Sequence, residues 1–266
     1  MKYTMIDFPL TPEYEEMITK FIEDGFKSGR IIKIDNIYYD LKSLSIQVNM
    51  DCMNCEKVCD VNCCNGHPYP PQQESLDYVK EKHDDIFSDD SAGDPEDRAQ
   101  LHERLLDKQF TVKFNNRMWP RGNVKKHTPM ETFPVVPDNG CIFNVKCGNY
   151  HKCMIHAHAL TEGINPIAKK PIYCSLYPLC SVDLNDNEKF LFCILDEDIK
   201  FNMWQGVDQS KRPCFNKGLL TDPNRDYFKD EDYKPALLAS INSVSYMYGE
   251  DAATKSALAL KQYLNK

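Results

Sequence analysis

Positive charge is in short supply in this chain: 32 Lys and Arg stand against 40 Asp and Glu, for a formal net charge of −8. That balance argues against non-specific nucleic-acid binding, which relies on basic surface to displace counterions. Long apolar runs are missing too. No stretch approaches the ~18 apolar residues of a membrane span. Asp7, Glu13, Glu15 and Glu16 interrupt the opening segment, which leaves it no signal-peptide h-region. The expectation is a cytoplasmic, soluble protein with no nucleic-acid and no membrane partner, in a compartment that keeps thiols reduced. Reaction motifs are equally scarce. There is no P-loop, no GxGxxG and no Ser-His-Asp pattern, so catalytic residues stay unknown and enzyme status open. The acidic run at 84–97 lacks the DxDxDG order of a calcium loop and reads as an exposed acidic loop.

Cysteine is what the chain has in quantity. Twelve are present in 266 residues, and five fall in the run Cys52-Met-Asn-Cys55-Glu-Lys-Val-Cys59-Asp-Val-Asn-Cys63-Cys64. Seven more follow at Cys141, Cys147, Cys153, Cys174, Cys180, Cys193 and Cys214. With 42% apolar residues the chain can build a core without disulfide staples. In a reducing compartment, clustered cysteines point to metal ligands or redox groups, and otherwise to packed core thiols. Thiolates favour zinc, copper(I) and iron–sulfur clusters over calcium or magnesium. Known spacings do not fit: Cys52-x2-Cys55 has no second knuckle to make a zinc ribbon, and both ferredoxin runs are absent. Adjacent side chains diverge, so Cys63 and Cys64 serve different metals of a cluster, or one of them is a small buried residue. Cys153 and His156, three apart, share a helix face, which makes His156 either a further ligand or a packed histidine. Lys170 is either a neutraliser of thiolate charge or a solvated lysine. His158 reads as structural or exposed, and His67 as a polar neighbour of the cysteine pair or a surface histidine.

Three segments organise the chain: an N-terminal helix and hairpin at 1–50, a cysteine-rich core at 51–215, and a C-terminal helical extension at 216–266. Periodicity predicts helices at 12–28, 74–86, 95–108 and 153–162, with two more after Lys234. Ile31–Ile34 and Ile37–Tyr39 flank Asp35-Asn36 as a hairpin, Leu44, Ile46 and Val48 alternate as a half-buried strand, and 188–195 is a further strand. Cys141-Ile-Phe reads as a short strand. Residues 113–127 are locally basic around Trp119, either a solvated loop or a dock for an anion. The fold class expected is α+β: an irregular single domain built around a cysteine-ligated metal centre, with helical N- and C-terminal segments.

The motif order CxxxCC, Gly-Cys-x-Phe, Cys-x-Ile-His and Lys-Pro-x-x-Cys-x-x-Tyr-Pro, over roughly 52–215, resembles the YkgJ-type cysteine-cluster proteins. The helical tail is similar to a long bacterial branch of that family. The family is described as zinc- or iron-chelating. The resemblance assigns metal or cofactor binding to Cys59, Cys63, Cys64, Cys141, Cys153 and Cys174, with Cys214 matching a later cysteine. Cys52, Cys55 and His156 are further candidates, while Cys147, Cys180 and Cys193 exceed the pattern. The surplus of thiols over the four that one zinc needs implies an iron–sulfur cluster of the 4Fe-4S kind, one or two in number, with zinc as the alternative. A structural zinc protein acting as an interaction or chaperone module remains open. So does an iron–sulfur enzyme acting on a protein or small-molecule substrate, since flagellin lysine-methylating proteins carry a similar cysteine set.

Overall fold

The computed structural model describes residues 12–59, 69–114, 130–137, 140–184, 187–199 and 212–266. Helical spacing of apolar residues produces α1 (Pro12–Ser28), which buries Ile18 and Ile22 and ends at Gly29 with φ +73°. The hairpin expected next is present. Strands β1 (Ile31–Ile34) and β2 (Ile37–Asp40) pair antiparallel, Ile34 opposite Ile37, and Asp35 takes the positive φ of the turn. The half-buried strand expected at 44–48 is instead a short helix, α2 (Leu41–Leu44), and a two-residue strand, β3 (Gln47–Val48). Asp40 causes the change. Its carboxylate is fixed by a two-pronged contact with Arg30 at 2.6 and 2.8 Å, and it receives the Ser43 N–H at the start of the helix.

Helices α4 (Gln73–Ser88) and α5 (Pro95–Lys108) form an antiparallel pair on the expected segments, after the short α3 (Cys55–Cys59). The acidic stretch between them is not a free loop. Residues 84–88 continue α4, Asp89 Oδ2 lies 3.0 Å from the His158 ring, and Arg98 donates to Asp90. Short strands β4 (Val112–Phe114) and β5 (Met130–Thr132) follow, then β6 (Val135–Val136) paired with β7 (Gly140–Cys141). Ile142 and Phe143 turn inward after β7 rather than extending it. An unanticipated hairpin comes next, β8 (Asn144–Cys147) with β9 (Tyr150–Cys153), closed at Gly148 with φ +64°. It runs directly into α6 (Met154–Thr161), then α7 (Ile172–Leu176). Most of the basic segment 113–127, Trp119 included, lies outside the described residues.

Strands β10 (Leu179–Asp183) and β11 (Lys189–Cys193) complete the main sheet in the order β1-β2-β11-β10, with β11 parallel to β2. Strand β12 (Lys234–Pro235) pairs with β3, and α8 (Ala236–Ala239), α9 (Ile241–Tyr248) and α10 (Glu250–Leu264) finish the chain. The segments 1–50, 51–215 and 216–266 therefore interleave: the first shares a sheet with the second, and the third lends a strand to the first. The architecture is mixed helix and strand with small sheets. No helix among the described residues is long and apolar enough to cross a membrane.

Candidate metal centre

The turn at 52–55 is shaped by Asp51. Its carboxylate accepts from the Met53 and Asn54 backbone N–H groups and from the Asn54 side chain at 2.6 Å, winding the chain into α3. That helix sets Cys55 and Cys59 four residues apart on one face. Cys214 comes to meet them from a 3₁₀ turn, Pro213–Phe215, which is tied to the end of β3 by Asn49 N–H donating to the Cys214 carbonyl at 2.8 Å. The three sulfurs lie within 4.8 Å of one another. Val58, Leu220, Phe228 and Tyr233 pack around Cys59 and Cys214 as an apolar shell.

Cys59 and Cys214 are buried and Cys55 half-buried, and thiols this close oppose one another's ionisation. Hydrogen bonds from the Cys214 and Cys55 thiols hold Cys59 well below the ordinary thiol range, helped by the Cys214 backbone N–H at 3.4 Å and the Arg212 charge. Cys55 is pushed strongly upward by its hydrogen bonds to Cys214 and Cys59 and then by burial. A soft cation would replace the shared protons and satisfy all three sulfurs, so the donor chemistry fits a thiolate-bound metal.

Beside this trio lies a mostly apolar cavity. Cys52, Cys55, Cys141, Cys153, Cys174 and Cys214 all contribute to its wall, together with Lys170 and Arg212. Cys141 arrives on β7, Cys153 at the junction of β9 and α6, and Cys174 in α7. Glu56 pins β9 to α3, accepting from His151 N–H at 2.6 Å and lying 3.1 Å from its ring. The acidic connector grips the same hairpin. Asp94 and Asp97 accept from Gly148 and Lys146 N–H, while Asp94 N–H donates to the Lys146 carbonyl. The loop before α7 is held by Gln72, whose amide donates to the Lys170 and Ala168 carbonyls and accepts from Ile172 N–H.

Of the sequence candidates, Cys59, Cys141, Cys153, Cys174 and Cys214 thus converge on one region, and Cys52 and Cys55 join them. Cys63, Cys64 and His67 lie outside the described residues. His156 faces Lys170, Nδ1 to Nζ 3.4 Å, and burial followed by the lysine charge lowers it to about 3, so its imidazole is neutral. Lys170 is not solvated: it is 6% exposed, with Nζ 3.9 Å from the Cys52 sulfur. Cys147 turns to the Tyr150 hydroxyl at 3.3 Å. Cys180 and Cys193 are buried in the main sheet, where desolvation pushes Cys193 up to about 12, as befits packed neutral thiols. Sequence reading missed Glu56, His151 and Gln72, because their spacing to the thiols is set by tertiary contact alone. No family model matches the chain, and neither a curated protein nor a solved structure matches it.

Proposed function

We propose that this chain is a cytoplasmic metalloprotein of the YkgJ-like kind, holding an iron–sulfur cluster through its clustered cysteines. The observation that supports this most is the number of thiols at one place: six line a single cavity, and Cys59 lies against two of them. One tetrahedral zinc needs four donors, so seven leave a surplus that a polynuclear cluster uses. Cys55, Cys59 and Cys214 would supply the core of the site, with Cys52, Cys141, Cys153 and Cys174 as the remaining thiols. When bound, the cluster supplies electron transfer or a Lewis-acidic iron. The chain itself contributes sulfur donors, an apolar shell against water, and the Lys170 and Arg212 charges that offset thiolate charge. Purification without oxygen, followed by iron, acid-labile sulfide and zinc analysis, tests the reading. Iron and sulfide in equal amounts are expected. Stoichiometric zinc without labile sulfide overturns it.

A structural zinc site is the second reading, favoured by the enclosure of the Cys55–Cys59–Cys214 trio in the apolar shell. It fits an interaction module and predicts a colourless protein that loosens on chelation. The cavity beside the trio also leaves room for a small molecule or substrate side chain, as an iron–sulfur enzyme would need. Binding of a candidate substrate should then perturb the cluster spectrum.

A further inference from the structure

A second set of metal-ligating side chains lies on the α4–α5 pair, and none of its members lines the cysteine cavity. His83 and Asp84 come from α4 and His102 from α5. Asp84 Oδ1 is 3.1 Å from His83 Nδ1 and 3.1 Å from His102 Nε2, and the two ring nitrogens are 3.2 Å apart. Donor atoms on a tetrahedral zinc at about 2.0–2.1 Å stand about 3.3–3.4 Å apart. The observed triangle is close to one face of that tetrahedron. An ion about 1 Å out of its plane reaches all three donors at zinc-ligand distance.

Protons serve this arrangement poorly. If both N–H groups donate to the carboxylate, they confront each other at 3.2 Å; if one imidazole donates to the other, a single proton serves three edges and neither edge to the carboxylate has its own. A single cation satisfies all three lone pairs at once. The rings are already oriented by packing: His102 stacks on Phe87 at 4.8 Å and 15°, and His83 meets the Phe110 ring at 5.1 Å. Exposure is graded, with the imidazoles 22% and 25% exposed and Asp84 78% exposed, so the fourth tetrahedral position opens to water. Two imidazoles and a carboxylate suit zinc and its first-row neighbours rather than calcium or magnesium.

We infer that His83, Asp84 and His102 form a second, thiol-free site for a zinc-class divalent cation, which staples α4 to α5. The site is independent of what the cysteines hold.

The test uses the full chain with its cysteine centre as isolated. Zinc is titrated while the imidazole resonances of His83 and His102 are followed, and zinc-soaked crystals are examined by anomalous scattering. Both histidines are expected to shift together and saturate at one added equivalent, with an anomalous peak at the triangle. His102→Gln should weaken this uptake by more than about a hundredfold, beyond the ~10–100-fold that loss of an outer-sphere partner costs. Asp84→Asn, on an exposed side chain that leaves the fold intact, should weaken it too. Absence of imidazole shifts at millimolar zinc overturns the inference, as does equal uptake by the native chain and both variants.

Discussion

The pKa of Cys59 is lowered by the thiols of Cys214 and Cys55 beside it, whereas that of Cys193 is raised by burial in the sheet, and this separates the thiols into two classes. Those of the trio lie within 4.8 Å of one another, whereas Cys193 is buried in the main sheet. Substituting one of each should give opposite results. If the trio holds the proposed metal, Cys214→Ser is expected to lower metal affinity by more than about a hundredfold, beyond the cost of losing an outer-sphere partner. Cys193→Ser should leave metal content unchanged and cost about 1–3 kcal/mol of stability through a buried hydroxyl. Metal analysis and thermal melts of the two variants distinguish these outcomes. Asp89 offers a pH test. Burial works against its charge, but hydrogen bonds from Ser91 and His158 outweigh that and lower its pKa below the ordinary 3.8. Its contribution is fully present above 3.8 and is lost as the pH falls through the lower folded value. Asp89→Asn should therefore flatten the acid limb of a melting-temperature profile; an unchanged limb would refute the assignment.

At the scale of elements, the site depends on segments that grip the β8–β9 hairpin. Gly93 lies so close to β8 that a Cβ there would stand 2.5 Å from the Lys146 carbonyl oxygen, at a φ of +150°. Gly93→Ala is expected to cost about 1–3 kcal/mol through overpacking and backbone strain, seen as a lower denaturation midpoint. Glu56→Gln should loosen α3 from β9 by about 1–3 kcal/mol, because His151 loses a charged acceptor. It should also weaken metal retention in a chelator competition. The long helices were legible from periodicity, since Leu101 and Leu105 are buried four apart on α5. The hairpin was not. Asn144 is buried without being apolar, and all four β9 residues are half-buried, so no alternation marks it. Only the Gly148 turn signals it. The segment 44–48 misled because the alternation of Leu44, Ile46 and Val48 is overridden at its start by the buried Asp40 carboxylate, which caps α2.

For the whole molecule, the ordered cysteine motifs named Cys59, Cys141, Cys153, Cys174 and Cys214, which the fold brings to one region, but not which thiols touch. The pairing of Cys55 and Cys59 depends on a five-residue helix, and Cys214 is 155 positions from Cys59. If the metal is what joins these distant parts, chelation should raise hydrogen exchange in α3, β9 and residues 212–215. The β1-β2-β11-β10 sheet and α10 should keep their protection. A uniform loss of protection would mean that the centre holds the entire fold. The separation of 155 positions from Cys59 to Cys214 also sets a clock during synthesis. At about 5–20 residues per second, the early thiols wait about 8–30 s before the last member of the trio is made. Throughout that interval the trio lacks one of its three thiols, so a metal held by all three would have to enter after Cys214 is made.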